Sequence, residues 1–529
     1  MAKQTVNLGV IPNGVGGDDV RTGFTKVNGN FTELYTPPTQ VEAETGTSQV
    51  VKGWTAQRVR QSGVATVKSM TVQSTGQSTE KVMSQKAVTE AISAASDWDK
   101  SYTIALRSEA EAKLKRNSVV YLDFANGEYL INSEYSGKEP KALQQAIDYT
   151  APDGISVQTP DGRIVTAPAD TPAIEWREGE CQGLQVAPAS TNLVWPSEQF
   201  STSDTLWSYF GQGNAVATVV ADESPTQSGF STEINKSAAD DSRLGVSVGV
   251  GGSSVGDVTT VSCYVRAGTS SVARIHWVNW DGGGSKSVIF EFDMSTGQFT
   301  LSPASAIKLY AEKINSKWWR IGVTSDVEDA ANITYRIDIS PGAYETGTIY
   351  CDGAQIEKGY LTPYIKTESS QVTRGSVGGD ITTSIRSDNF TAFFELPRKT
   401  EEKNDSRFFG LSFDKSSSTY LSFAESIGVG SRLRVFGTGV GTPLNGLTDF
   451  SGTSKCALVV ANGVAKWFVN GILSGTTTAS PSDDYYKHGY LGMQFNGSIR
   501  WNGSIARSVL SNYAMNDAEA IALTTLEDE

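Results

Sequence analysis

The chain is poor in the residues that carry most enzyme chemistry. Of 529 residues, two are histidine and four are cysteine. His276 and His488 lie far apart, and neither has a second histidine beside it. Cys181, Cys263, Cys351 and Cys456 stand singly, with no Cys-x-x-Cys. That spacing excludes a zinc knuckle or a dithiol redox centre, and isolated cysteines of this kind behave as small buried hydrophobes. The glycine-rich stretches GVGGDD and VGVGGSSVG are not followed by Lys-Ser or Lys-Thr, so neither makes a phosphate loop. Basic runs are missing too. The formal net charge is −14, which argues against binding a nucleic-acid backbone. No apolar run approaches about twenty residues, so no membrane insertion is expected. The opening MAKQTVNLGVIPNG lacks the apolar core of a signal peptide. The expectation is a chain made in a cytosol, or one that leaves it by a route other than secretion.

What is abundant is glycine. Fifty-two glycines against seventeen prolines, with much Ser and Thr, predict many turns between short strands. The first 117 residues differ from that pattern. In DVRTGFTKVNGNFTELY the apolar residues Val20, Phe24, Val27, Phe31 and Leu34 fall in steps of four and three. This heptad spacing draws a narrow apolar seam along one short helix. Asp18 or Asp19 caps its start, and Pro37-Pro38 closes its end. The seam packs either on the chain's own body or on other copies of itself. Further helical segments are predicted at 41–63, 76–95 and 107–117, none with enough apolar area for a core of its own.

From VVYLDFANGEYLIN, residues 119–132, the period becomes two. A Pro-, Asp- and Gly-rich passage covers 151–190. Short strands then fill 191–368, and a second β series fills 385–514. The polar SSQVTRGSVGGD, residues 369–380, reads as the link between them. Asn-Gly at 445, 462, 470, 496 and 502 marks hairpins. MNDAEAIALTTL ends the chain as a helix, with Asn516 as cap and Glu519 three residues on. The predicted fold class is mainly β: a helical N-terminal stalk followed by two tandem antiparallel β-sandwiches of jelly-roll type.

Several stretches carry a resemblance. LGVIPNGVGGDDVRTGFTKVNGNFTELY resembles a segment at the N-termini of bacteriophage tail-fibre and baseplate proteins. TEKVMSQKAVTEAI resembles a linker helix of phage fibres. EAETGT followed by KGWTAQRV is similar to another fibre linker, although Ala56 stands where that pattern usually has proline. TNLVWPSEQFS, CYVRAG, FDMSTG, KWWR, DGAQIEKG and TPYIKT together resemble a carbohydrate-binding-module-type jelly roll of phage tail fibres. KWFVNGIL and SIARSVLSNYAMNDAEAIAL resemble a laminin-G or concanavalin-type sandwich. These stretches cover most of the chain, and their order resembles that of a phage fibre.

The resemblance implies five parts: a virion-attachment helix at 1–40, a helical trimeric stalk with linkers at 41–117, a β-rich connecting region at 118–190, a jelly roll at 191–368 and a sandwich at 385–529. It implies a homotrimer, so that Val20, Phe24, Val27, Phe31 and Leu34 meet two copies of themselves. It implies attachment to phage baseplate or tail proteins through the N-terminus, assembly in the host cytoplasm and residence in the virion. The host partner would be a lipopolysaccharide or capsular glycan. No cofactor, metal or catalytic group is expected. The alternatives are a glycan depolymerase, and a collar or neck fibre with no receptor role.

For the glycan, sugar rings stack on aromatic faces while polar neighbours take the hydroxyls. The loop SDDYYKHGY offers Tyr485 and Tyr486 as platforms, Asp483 and Asp484 as acceptors, and Lys487 with His488 for anionic groups. NWDGGG offers Trp280 and Asp281. Of the other aromatics, at least one of Trp318 and Trp319 is expected in the core, and Trp467 and Phe468 are expected on opposite faces. Asp281, Asp338 and Asp352 read either as oxygen ligands for calcium or as ordinary turn aspartates. Glu291 and Asp293, two apart on a strand, share a face that is either solvated or a carboxylate pair for glycoside cleavage.

Overall fold

A computed structural model describes residues 103–526, apart from short internal segments: 134–136, 202–205, 251–256, 281–284, 304–305, 327–332, 398–405, 415–419, 427–431, 438–439, 449–451, 482 and 494–500. The seam Val20, Phe24, Val27, Phe31 and Leu34 lies outside the described residues, as do the segments at 41–63 and 76–95 and the attachment region 1–40.

Between Ser118 and Asp123 every side chain is buried. A strand with no solvated face needs neighbours on both edges and cover on both sides. It finds the edges in Glu128–Ser133 and Arg507–Ser511. The second partner is almost four hundred residues away. These strands belong to an eight-stranded antiparallel sheet, in the order Gly137–Pro140, Glu128–Ser133, Ser118–Asp123, Arg507–Ser511, Phe390–Leu396, Ser454–Ala461, Val464–Val469, Ile472–Thr478. A seven-stranded sheet faces it, running Leu444–Thr448, Arg432–Gly437, Tyr420–Ser426, Ser406–Ser412, Tyr485–Leu491, Gly378–Arg386, Asp148–Thr150. Leu122, Phe394, Phe409, Phe423, Leu458 and Trp467 fill the space between the sheets. Each such fully buried side chain contributes roughly 1.5–3 kcal/mol.

The outer face of the larger sheet is covered as well. A helix over residues 103–117 lays Ala110 and Leu114 on it. The helix Asp517–Thr524 adds Ala520 and Leu523. Asn516 accepts from the Glu519 N–H and the Glu519 side chain reaches back, so the capping box read from the sequence is present. Because both faces are covered, Trp467 and Phe468 point opposite ways yet both are fully buried, Trp467 between the sheets and Phe468 under the helices.

The second sandwich pairs two six-stranded sheets. One runs Trp207–Phe210, Arg243–Val250, Ile333–Pro341, Val272–Trp280, Ser285–Asp293, Gln298–Leu301. The other runs Ala215–Ala221, Phe230–Lys236, Gly347–Lys358, Val258–Ala267, Trp318–Asp326, Lys308–Lys313. Its core holds Trp277, Phe290, Phe292, Tyr335 and Ile321. Trp318 is also buried, and Trp319 packs against that core half-exposed.

The sheets correct two expectations of domain layout. Residues 118–190 are not a connecting region, because Ser118–Asp123 and Asp148–Thr150 are integral strands of the sandwich that closes the chain. The jelly roll is therefore inserted into that sandwich. Nor is 369–380 a loose link: Val372–Arg374 pairs with Ser190–Asn192, and Gly378–Arg386 enters the seven-stranded sheet. The two ends of the insert are thus stapled to each other. Asn-Gly also proves uneven as a signal. Asn462-Gly463 and Asn470-Gly471 have positive φ at both residues and close two-residue hairpins. Asn445 sits inside a strand beside a register shift, and Asn502 is buried with its side-chain amide donating to the Leu361 carbonyl. Asn496 lies outside the described residues.

Candidate functional site

Where the insert meets its host, the contact is polar. The hairpin Ile155–Gln158 with Ile164–Ala167 projects from the host onto the insert. Its tip is Gly162, with φ of 73°. A Cβ there would stand 2.4 Å from the Ile314 carbonyl oxygen, so only glycine permits this approach. The Gln158 side-chain amide donates to the same carbonyl at 2.6 Å, and Asn315 donates back to the Gly162 carbonyl at 3.0 Å.

Behind this contact lies a cavity of about 50 Å³, the space of one or two water molecules. Gln158, Glu175, Arg177, Glu312, Arg320 and Tyr264 line it. Glu175 comes from the host strand Ile174–Arg177, while Glu312 and Arg320 come from the insert. Arg177 is shared between two carboxylates, 2.9 Å from Glu312 and 3.8 Å from Glu175. Burial pushes the Glu175 carboxyl up to about 7, with Glu312 adding to the rise and Arg177 opposing it. The Gln158 N–H donates to Glu175 at 2.9 Å. Arg320 donates to the Thr362 carbonyl at 3.0 Å and to Ser262 Oγ at 3.2 Å.

Next to it, sharing Ser156, Ile164 and Tyr364, opens a cleft of about 230 Å³, room for one sugar ring. Its far wall carries Glu198 and Lys366, with Nζ 3.1 Å from Glu198 Oε2. Tyr364 Oη donates to Glu198 Oε1 at 3.1 Å. Thr226 and Gln227 complete the rim. Beneath the rim, Ser224 and Thr226 both donate to Asp352. Burial pushes the Asp352 carboxyl up to about 7 against those two hydrogen bonds. The cleft therefore offers a cation, a carboxylate, hydroxyls and an amide around one opening.

The residues expected to bind sugar are placed differently. SDDYYKHGY is not a free loop, because Tyr485–Leu491 is an interior strand between Gly378–Arg386 and Ser406–Ser412. Tyr486 is core: it is 3% exposed, stacked on Phe413 at 4.5 Å between ring centroids and edge-on to Phe390. Tyr485 and Lys487 are exposed, as are Asp483 and Asp484, whose main-chain carbonyls accept from Ser387. His488 is half-buried, its Nδ1 3.9 Å from Asp380. The double-tyrosine platform does not exist, and one ring remains. Trp280 ends the strand Val272–Trp280, but its side chain and Asp281 lie outside the described residues.

Asp338 is a strand residue, buried and surrounded by Arg243 at 2.7 Å, Arg336 at 2.9 Å and His276 Nδ1 at 3.2 Å. It is neither a turn aspartate nor free to take calcium, since its oxygens face the Arg243 and Arg336 guanidinium groups. Among the described residues, no three His, Cys, Asp or Glu side chains gather to hold a metal. Glu291 accepts from the Ala343 N–H at 2.6 Å. Asp293 accepts from the N–H and hydroxyl of Ser295 at its hairpin. Both are tied to turns.

The residues at the seam between insert and host were missed because they are scattered from Ser156 to Lys366 with no local motif. The one cue is the charged pair Glu175 and Arg177 flanking Trp176 in a short strand.

No family model matches the chain, and no curated protein matches it. Among solved structures, Trypanosoma rangeli sialidase aligns over 59% of this chain and 63% of its own length, at 10% identity and a TM-score of 0.21. Trypanosoma rangeli sialidase in complex with the inhibitor DANA aligns over 76% and 98%, at 9% identity and a TM-score of 0.22. Likeness at these scores carries no argument for fold or activity.

Proposed function

We propose that this chain is a homotrimeric bacteriophage tail fibre that attaches to the baseplate or tail through its N-terminal helices and binds a host-cell surface glycan through its β-domains. The order of sequence segments supports the fibre reading. The observation that carries glycan binding is the cleft at the seam, where Glu198, Lys366, Thr226, Gln227 and Tyr364 set donors and acceptors around a space one sugar ring wide. Single-site binding of this kind is weak, and three copies per fibre with several fibres per particle raise the effective concentration. The ligand class is lipopolysaccharide or capsule, met in the virion at the cell surface.

A depolymerase would rest on Glu175 and Asp352, two buried carboxyls held near neutrality. Each bonds inside the fold, to Gln158 N–H and to Ser224 with Thr226, so we take the β-domains as binders. The experiment is adsorption of the purified fibre to host cells, with release of reducing sugar measured alongside. Lys366→Ala should lower adsorption at least tenfold with a folded protein, its melting lowered by the loss of the partner of Glu198, and with no sugar release by either protein. Unchanged adsorption refutes the cleft, and steady sugar release abolished by Glu175→Gln refutes the binder. Exchange of residues 103–529 between fibres, as one piece because the insert and host are interleaved, should carry host range with it. If it does not, the structural-fibre reading stands instead.

A further inference from the structure

Among the described residues, thirteen large apolar side chains are exposed. Five of them, Ile104, Ile472, Leu473, Ile521 and Leu526, come from three segments that touch. Arg107, one turn after Ile104, donates through Nε to the Ala522 carbonyl and through a terminal nitrogen to the Thr525 carbonyl, each at 3.0 Å. The Gly471 N–H donates to Thr524 Oγ1 at 3.1 Å. The start of the first helix, the end of the last helix and the start of strand Ile472–Thr478 thus form one corner.

That strand is also the edge of the eight-stranded sheet. Its far end is covered, since Gly441 donates to the Thr478 carbonyl and Thr442 to Thr477 Oγ1. From Ile472 to Thr476 no strand pairs with its outer side among the described residues. Solitary edges are normally blunted by lysine, proline or a charged inward residue. The strand reads ILSGTTT and carries none of these. An unguarded edge flanked by apolar side chains is a docking surface.

The occupant follows from where the rest of the chain enters. The 102 residues before the described helix join the fold at this corner, and they hold the heptad seam Val20, Phe24, Val27, Phe31 and Leu34. Chains joined through such a seam are tied to one another through residue 103, so this corner is where each sandwich is tethered to its neighbours. We infer that the edge strand Ile472–Thr478, with Ile104, Ile521 and Leu526, is the surface through which copies of this chain pack against one another at the base of the host sandwich. The inference rests on the self-association in the proposed function and adds where the β-domains meet. A ring of three uses a heterologous contact, so each copy presents this edge to a different surface of the next.

Amide hydrogen exchange on the full-length chain tests it, with light scattering on the same sample. A self-associated mass is expected, with the outward amides of Ile472–Thr476 exchanging at least tenfold slower than free amides. The double variant Ile521→Asp with Leu526→Asp should return them to fast exchange while Phe390–Leu396 stays protected. A self-associated chain whose edge amides exchange freely overturns the inference and leaves the oligomer reading intact. A monomeric mass overturns both. Protection that arises only in the assembled virion overturns it in favour of a different virion protein on this edge.

Discussion

Glu175→Gln should make the protein more stable at pH 8 and leave it nearly unchanged at pH 5. Burial and the neighbouring Glu312 push the Glu175 carboxyl from 4.5 up to about 7. The unfolded chain releases this proton near 4.5, while the folded chain keeps it to about 7. The stability that Glu175 contributes is therefore complete below 4.5, falls as pH rises through that window and is lost above 7. The displacement corresponds to about 3 kcal/mol, at about 1.4 kcal/mol per pH unit. Glutamine keeps the side-chain shape and an oxygen for the Gln158 N–H, but has no proton to lose. Arg177 retains Glu312 at 2.9 Å, so no buried cation is stranded. For a sandwich of this size about 3 kcal/mol corresponds to a rise of roughly 6–12 °C in Tm. Thermal melts of both proteins at pH 5, 6, 7 and 8 provide the assay. An equal difference at all four pH values would refute the buried-proton argument, because a packing effect does not follow the titration.

Tyr486→Ala should cost about 3–5 kcal/mol, the usual loss for a large aromatic removed from a core, whereas Tyr485→Ala should change the melt by less than about 0.5 kcal/mol; chemical denaturation distinguishes them, and equal effects would return the stretch to a loop. Gly162→Ala should cost about 1–3 kcal/mol, from backbone strain at positive φ compounded by the clash with the Ile314 carbonyl, and should loosen the insert in hydrogen exchange at Ile155–Gln158. Limited proteolysis should leave residues 369–380 uncut, because Val372–Arg374 is paired and Arg374 is buried; early cleavage there would mean that the insert is hung on a loose tether.

What could be read in advance was local. Mainly β architecture followed from period-two runs, and the C-terminal helix from Asn516 and Glu519, because a capping box closes within four residues. Asn462-Gly463 and Asn470-Gly471 were legible as hairpins because two positive φ values are a property of the dipeptide itself. The interleaving was not legible. Nothing near Val120 announces Leu510 as its partner, since strand pairing is specified by fit across the sheet rather than by either strand alone. Tyr486 was misplaced for a related reason. A polar stretch beside two aspartates reads as a loop until Gly378–Arg386 and Ser406–Ser412 enclose it. The seam residues had no local signature, because half come from the host and half from the insert.

The polarity of that seam follows from how the insert is held. Domains joined by one tether rely on an apolar interface to fix their geometry, or else move. Here both ends of the insert are bound into a two-stranded sheet, Ser190–Asn192 with Val372–Arg374, and Arg374 donates to the Pro188 and Pro363 carbonyls across it. Leu193 and Ile356 continue the connection into the insert. Position is thus set by backbone pairing, and the seam is freed from having to be greasy. Its charged groups then bear the cost of burial, seen in the Glu175 and Asp352 carboxyls pushed up to about 7. Buried pairs replaced by well-packed apolar groups are often neutral or stabilising, so rigidity alone does not call for Arg177 and Glu312. On the glycan reading proposed above, Glu198 and Lys366 at the larger cleft would meet the sugar hydroxyls, and the stapled strands would supply the fixed geometry that such a site needs.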